Sequence, residues 1–269
     1  MKDKISITLN KKILNDIDSI IDDIYVRNRS QAIETLINKA LGENKIAVIL
    51  AGGKDEKIKI NGTYKPILKI KRETIIESAI RKLREEGFKT IYIIAGRDVL
   101  TEIIKVIGDG SEYGVKINLI DEKEPKGDAN SLKLLNGKVK TTFLVVNSDI
   151  IFSKIDLKKL WNSHLKQKGI ATLVICSSPY NMRNVGTVKM EGNKIIEFDE
   201  KPLKAESNLF WFGIFVAEPE IINYDGLTLG NNVFPKLAEK RFLYGHLIGE
   251  EYLHIHVKSD LKKIESKMK

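Results

Sequence analysis

The chain has 269 residues, with 45 Lys+Arg against 36 Asp+Glu for a formal net charge of +9, and 42% of its residues are hydrophobic. It is too apolar for a disordered chain and has no apolar run near the ~18–20 residues that span a bilayer, so a globular protein without membrane contact is expected. Cys176 is the only cysteine and the Met1-Lys2-Asp3-Lys4 start lacks the apolar core of a signal peptide, which excludes a disulfide framework and makes the cytoplasm the expected compartment.

Lys4 to Leu9 alternates, with Ile5, Ile7 and Leu9 on one face and Lys4, Ser6 and Thr8 on the other, the period of a half-buried strand. Ile13, Leu14, Ile17, Ile20, Ile21 and Ile24 then recur at helical spacing. A second helix is predicted from an N-cap near Ser30, burying Ala32, Ile33, Leu36, Ile37, Ala40 and Leu41 before Gly42 ends it. A unit this short, with a lone strand edge, needs a second copy that pairs with it strand to strand. In this order, with Lys4 to Leu9 as the ribbon and Arg29-Ser30 opening the second helix, residues 1–43 resemble the ribbon-helix-helix family of DNA-binding proteins. The resemblance implies a homodimer or dimer of dimers on a double-stranded DNA operator. Lys4, Ser6 and Thr8 would face base edges in the major groove, and Arg29 with Ser30 would hold a backbone phosphate.

After the very short Glu43-Asn44 linker, residues 45–269 read as a separate α/β domain. A buried strand, Lys45 to Leu50, runs into Ala51-Gly52-Gly53. Helices are predicted over Ile75 to Leu83, Val99 to Ile107 and Ser131 to Leu135, alternating with strands over Thr90 to Ala95, Val115 to Ile120 and Thr142 to Val146. That alternation predicts a mostly parallel sheet wrapped by helices. Strands over Gly169 to Cys176, Val185 to Met190, Ile195 to Phe198 and Leu209 to Val216 follow, a mixed second half. Ligands bind such sheets at the carboxyl ends of the strands, where Gly52-Gly53 and Asn147-Ser148-Asp149 both fall.

The ordered series Leu50-Ala51-Gly52-Gly53, Lys65-Pro66, Gly127-Asp128-Ala129, Asn147-Ser148-Asp149, Val185-Gly186-Thr187-Val188 and Glu200-Lys201-Pro202, with Gly213 in an aromatic strand, resembles the sugar-phosphate nucleotidyltransferases. These make nucleotide sugars from a nucleoside triphosphate and a sugar 1-phosphate on a Rossmann-like α/β fold. The resemblance implies Ala51, Gly52, Gly53 and Gly127 at the nucleotide, Lys65 at phosphate, Asp149 on Mg²⁺, and Glu200 with Lys201 at the sugar and its phosphate.

Three departures accompany the match. Lys54-Asp55-Glu56-Lys57 stands where the family has a Gly-Thr-Arg loop, placing two carboxylates by the triphosphate and keeping only Lys57 at the arginine position. His254 replaces an aspartate that would be the second Mg²⁺ ligand, leaving Asp149 and His254 as the candidate metal pair and His254 with His256 as a pair for a softer metal. Trp211-Phe212-Gly213 replaces Asn-Ala-Gly, putting Trp211 where it would either stack on a ligand or fill core. The expected protein is therefore a sequence-specific DNA-binding transcriptional regulator whose nucleotidyltransferase-like domain, impaired in catalysis, binds or senses a nucleotide, sugar phosphate or nucleotide sugar. The alternative is an active nucleotidyltransferase, with Lys65 and Asp149 catalytic, that uses residues 1–43 to dimerise or to regulate itself. Charge does not favour the DNA assignment, because residues 1–44 carry seven basic and seven acidic residues and the excess lies entirely in residues 45–269.

Overall fold

The structure is a computed structural model that describes residues 5–22, 26–43, 45–177, 185–249, 253–255 and 257–267. The chain divides into two compact units, Met1–Asn44 and Lys45–Lys269.

In the first unit, helix α1 (Lys11–Asp18) is capped by Asn10, whose side chain accepts from the Ile13 N–H at 2.9 Å. Helix α2 spans Arg29–Glu43. Residues 5–10 form no strand, contrary to the alternation in the sequence, and Ile5 and Ile7 are 76% and 51% exposed. A strand needs a neighbour for its N–H and C=O groups, and the described residues of the single chain supply none. Lys4 and Ile24 lie outside the described residues, as do the side chains of Ala40 and Leu41. Ile17 and Ala32 are buried, but Ile13, Leu36 and Ile37 are exposed, so the predicted apolar stripes are only partly covered. The N-cap contact expected of Ser30 is made by Asn28, whose Oδ1 accepts from the Gln31 N–H at 2.9 Å. Arg29 does not project freely for a phosphate: its Nε and Nη2 donate to the two oxygens of Asp18 at 2.7 and 2.8 Å, a planar fork matched to a carboxylate. Ser6 and Thr8 sit exposed on the unpaired segment.

In the second unit, β1 (Ile46–Leu50) leads through α3 (Asp55–Ile58) into two small hairpins, β2 (Lys59–Ile60) with β3 (Thr63–Tyr64) and β4 (Lys69–Ile70) with β5 (Glu73–Thr74). There follow α4 (Ile75–Glu85), β6 (Thr90–Ala95), α5 (Arg97–Ile107), β7 (Lys116–Asp121), α6 (Asp128–Lys133) and β8 (Phe143–Asn147). The remainder is α7 (Leu157–Leu165), β9 (Ala171–Ser177), β10 (Gly186–Glu191), β11 (Lys194–Glu200), β12 (Leu209–Ala217), α8 (Phe234–Glu239), β13 (Leu243–Leu247) and α9 (Lys258–Lys267). Nine strands join one sheet in the order β10-β11-β13-β9-β12-β8-β1-β6-β7. The run β8-β1-β6-β7 is parallel, β12 enters antiparallel to both β8 and β9, and β13 lies parallel to β9. This is an α/β sheet whose first half is parallel and whose second half is mixed, as the order of strands and helices in the sequence implied.

Strand β1 is apolar throughout because both of its faces are covered. Ala47 and Ile49 join a core with Ile80 of α4, Ile103 of α5 and Leu160 of α7, whereas Val48 and Leu50 join a second core with Leu132 of α6 and Phe234 of α8. Helix α4 is started by a reciprocal cap: Glu77 Oε2 accepts from the Thr74 N–H at 2.8 Å, and Thr74 Oγ1 accepts from the Glu77 N–H at 3.3 Å. Thr74→Ala is expected to lower the unfolding free energy by about 1 kcal/mol, read as a fall in melting temperature with the fold retained.

Among the described residues, no helix is long and apolar enough to cross a membrane. The chain leaves β1 for β6 and β7 on one side and then returns to place β8 on the other. The carboxyl ends of β1 and β8 therefore flank the point where the strand order reverses, the place where open α/β sheets leave a crevice.

Candidate active site

The ends of β1 and β8 are tied together there, since the Ser148 N–H donates to the Leu50 carbonyl at 3.0 Å. The next residue, Asp149, carries two basic partners. Its Oδ2 accepts from Lys65 Nζ at 3.1 Å and its Oδ1 lies 2.8 Å from His254 Nε2. Lys65 opens the single helical turn Lys65–Ile67 and is 7% exposed, so its ammonium is out of water and held by the carboxylate. The C-terminal segment is clipped onto the same residue: the Ile255 N–H donates to the Asp149 carbonyl at 3.0 Å, and the Ile151 N–H to the Leu253 carbonyl at 2.9 Å. Burial by itself would raise the Asp149 carboxyl, but the hydrogen bond and charge of His254, joined by Lys65, outweigh it and hold the group well below the usual carboxylate range. Asp149 is thus ionised at any physiological pH.

Mg²⁺ is the metal that the sequence resemblance implies, and Asp149 fits it as a hard, ionised oxygen donor. His254 does not. Its Nε2 is engaged with Asp149 Oδ1, and imidazole nitrogen is a poor ligand for an ion that takes oxygen, which corrects the expected Asp149–His254 metal pair. Among the described residues no group of three or more His, Cys, Asp or Glu is placed to hold a metal. His256, and with it the softer-metal pair, lies outside the described residues.

Beside Asp149's strand a cleft of about 260 Å³ opens over the end of β1, lined among others by Gly52, Gly53, Lys57, Glu122, Gly127 and Asp128. Two glycines shape it. Gly127 has a φ of +132°, and a Cβ there would overlap the Leu227 carbonyl oxygen. A Cβ on Gly52 would overlap Glu122 Oε2, so the Gly52 backbone and the Glu122 carboxyl share one space. Asp128 is a structural clasp, its Oδ1 accepting from the Leu229 N–H at 2.7 Å and the Ala129 N–H at 3.0 Å. Burial pushes the carboxyls of both Glu122 and Asp128 up; the Ser131 hydroxyl opposes the shift at Glu122, and the two backbone N–H groups oppose it at Asp128. Ala51 lies buried beneath the loop, its N–H donating to the Ile94 carbonyl at 2.9 Å.

The charged loop after Gly53 is arranged less adversely than its sequence suggests. Asp55 is drawn to Lys59 Nζ at 2.7 Å, while Lys54, Lys57 and Lys126 are the cations that line the cleft. Farther along, Glu200 ends β11 with Lys201 Nζ 3.4 Å from its Oε1, while Glu200 Oε2 is buried without a hydrogen-bond partner. Burial raises the Glu200 carboxyl, and Lys201 counters the shift. Trp211 is not left free to stack on a ligand. Its ring stands 5.1 Å from Phe234 and 6.2 Å from both Phe198 and Phe215, with Nε1 donating to the Ile214 carbonyl at 3.4 Å. The site therefore gathers Gly52, Gly53, Lys57 and Gly127 at one cleft and Lys65, Asp149 and His254 at one ion cluster. Glu122 escaped the sequence reading, although it follows a strand as directly as Asp149 does, and that shared position was the available signal.

A family model described as Nucleotidyl transferase matches residues 46–236. The chain is 31% identical over 215 residues to UTP–glucose-1-phosphate uridylyltransferase of Synechocystis sp., a match covering 72% of this chain and 55% of that protein. It is 24% identical over 229 residues to D-glycero-alpha-D-manno-heptose 1-phosphate guanylyltransferase of Aneurinibacillus thermoaerophilus, covering 82% of this chain and 97% of that protein. The chain spans about half the length of several curated relatives it matches. In fold it resembles a crystal structure from Bacillus anthracis assigned as a glucose-1-phosphate thymidylyltransferase, with a TM-score of 0.74 and 22% identity, covering 82% of this chain and 94% of that one. These relatives are named as transferases, which overturns the expected DNA-binding transcriptional regulator and its DNA operator in favour of the enzyme alternative.

Proposed function

Because the chain belongs to the nucleotidyl transferase family, we propose that it joins a nucleoside triphosphate to a sugar 1-phosphate, forming a nucleotide sugar and releasing pyrophosphate. The observation that carries this is the half-buried, ionised Asp149 paired with the buried Lys65 at the switch point of the sheet, beside a glycine-floored cleft lined by lysines. The nucleophile is a phosphate oxygen of the sugar 1-phosphate, already ionised near neutrality since the second phosphate pKa is about 6, so no residue has to remove a proton. The protein's work is positioning and charge.

Lys54 and Lys57 supply positive charge at the mouth of the cleft, and Lys65 supplies it at Asp149. The unpartnered Glu200 Oε2 accepts a sugar hydroxyl, and Lys201 meets the sugar's phosphate. Asp149 would hold Mg²⁺ as its one protein carboxylate, with substrate phosphates completing the shell. When bound, the ion spreads the negative charge that builds on the transferred phosphate. The test is pyrophosphate release with the four common NTPs, Mg²⁺ and a panel of hexose and heptose 1-phosphates. A nucleotide sugar identified by mass spectrometry is expected, and no pyrophosphate from any combination overturns the proposal. In this scheme residues 1–43 serve dimerisation, motivated by the exposed Ile5, Ile7, Leu36 and Ile37. A monomer in sedimentation of the full chain would remove that role.

A further inference from the structure

Both oxygens of the Asp149 carboxylate are already engaged, Oδ2 by Lys65 Nζ at 3.1 Å and Oδ1 by His254 Nε2 at 2.8 Å. An ionised carboxylate only accepts, so His254 Nε2 carries a hydrogen and donates it whatever the charge of the ring. The two partners are not equally able to leave. Lys65 is 7% exposed, and turning it away from Asp149 would strand a buried ammonium without its counter-charge. His254 instead sits on a backbone fixed on both sides of it. The Ile255 N–H donates to the Asp149 carbonyl, the Leu253 carbonyl accepts from the Ile151 N–H, and Ile255 is packed with Ile70, Ile151 and Ile264. The imidazole can therefore turn while the segment that carries it stays in place.

We propose that His254 gates the divalent cation: its Nε2–H covers the Asp149 oxygen that the cation would take, and yields it only when a nucleoside triphosphate arrives. This rests on the transferase reading above, in which Asp149 holds Mg²⁺, and specifies when the ion is admitted. The argument is one of charge. Lys65 already offsets the single negative charge of Asp149, so a cation meeting that carboxylate alone gains little attraction. It must also break a hydrogen bond to an ionised oxygen, and Mg²⁺ sheds its own water reluctantly. A triphosphate in the cleft lined by Lys54 and Lys57 brings the missing negative charge and further oxygens, which tips the exchange. His254 thus acts through Asp149 as a positioning residue, keeping the carboxylate oriented and hydrogen-bonded until then.

Mn²⁺ is the probe, its binding to the full chain followed by electron paramagnetic resonance without nucleotide. The wild type is expected to bind it with a Kd of about 1 mM or weaker. His254→Ala should bind at least about tenfold more tightly, the scale of removing a hydrogen bond to a charged group. His254→Gln keeps an N–H donor and should stay within about twofold of the wild type. Adding Asp149→Asn to His254→Ala should abolish the gain. In the wild type, Mn²⁺ with a non-hydrolysable analogue of one of the four common NTPs should broaden the His254 ring signals in NMR, and Mn²⁺ alone should not. A wild-type Kd below about 100 µM overturns the gate, a result that needs no variant to fold. Binding by His254→Ala no tighter than the wild type overturns it as well, as does a Gln variant that behaves like Ala or broadening that never depends on nucleotide. Gated binding without pyrophosphate release from any substrate pair supports the gate and overturns only the transfer.

Discussion

Replacing Asp149 with Asn is expected to lower nucleotide-sugar formation on the order of 10²–10³-fold, the usual size of effect when one electrostatic contribution to the transition state is lost, here the carboxylate that would hold Mg²⁺. Asn keeps the shape and an acceptor for Lys65 and His254 but loses the charge that both basic groups face. Lys65→Met removes the other half of the pair. Since the two residues touch, the double variant should lose far less than the product of the single losses, and simple multiplicativity would show that they act apart. The stability of the site carries the same signature. The Asp149 carboxyl is held below its ordinary range, so the stabilisation from its two partners is fully present above the unfolded value of about 3.9 and disappears as pH falls through the lower folded value. Acid unfolding of the wild type should therefore include a limb that Asp149→Asn lacks. Identical acid profiles would mean that the pair contributes nothing to the fold.

How far this site was legible in the sequence depends on which residues are considered. The short apolar runs of β1, β6 and β8, bounded by turn residues and followed by Gly52-Gly53 and Asp149, pointed to the strand ends where the cleft opens, because parallel strands buried on both faces are apolar on both. Thr90–Ala95 matched residue for residue. Helix α7 was missed even though Leu157, Leu160, Trp161 and His164 recur at helical spacing, since a buried histidine interrupts the apolar count. That residue is satisfied by Thr172 Oγ1 at 2.8 Å and Glu218 Oε1 at 3.0 Å, partners that only the folded chain brings near. Lys4 to Leu9 gave the opposite error. Perfect alternation promised a strand, but period alone cannot provide the neighbour that a strand requires. His254 was placed at the right spot with the wrong role, because linear spacing shows that it reaches the site and not that it faces Asp149. Asp55 and Glu56 looked harmful to phosphate binding for the same reason: a sequence does not show that Lys59 draws Asp55 to itself.

Phe215→Ala is expected to cost about 3–5 kcal/mol, the range for emptying a fully buried phenyl site. For a unit of this size about 2–4 °C of melting temperature accompanies each kcal/mol, so calorimetry should show a fall of roughly 6–20 °C. Phe215 stands edge-on to Trp211 at 6.2 Å and 5.4 Å from Phe234, with Phe198 5.1 Å from Phe234, so one missing ring leaves several faces uncovered. The same cluster decides what Trp211 does. If its ring fills core, Trp211→Leu lowers the melting temperature less than Phe215→Ala, since Trp211 is only half-buried, and leaves the KM for sugar 1-phosphate unchanged. If the ring met the sugar, KM would rise with little change in melting temperature. The edge-to-face contacts and the indole hydrogen bond to the Ile214 carbonyl favour the first outcome, because both already use the parts of the ring that a sugar would need. In the proposed transfer sugar recognition then falls to Glu200 and Lys201, and the aromatic strand contributes by holding β11, which Glu200 ends and Lys201 follows, against the sheet.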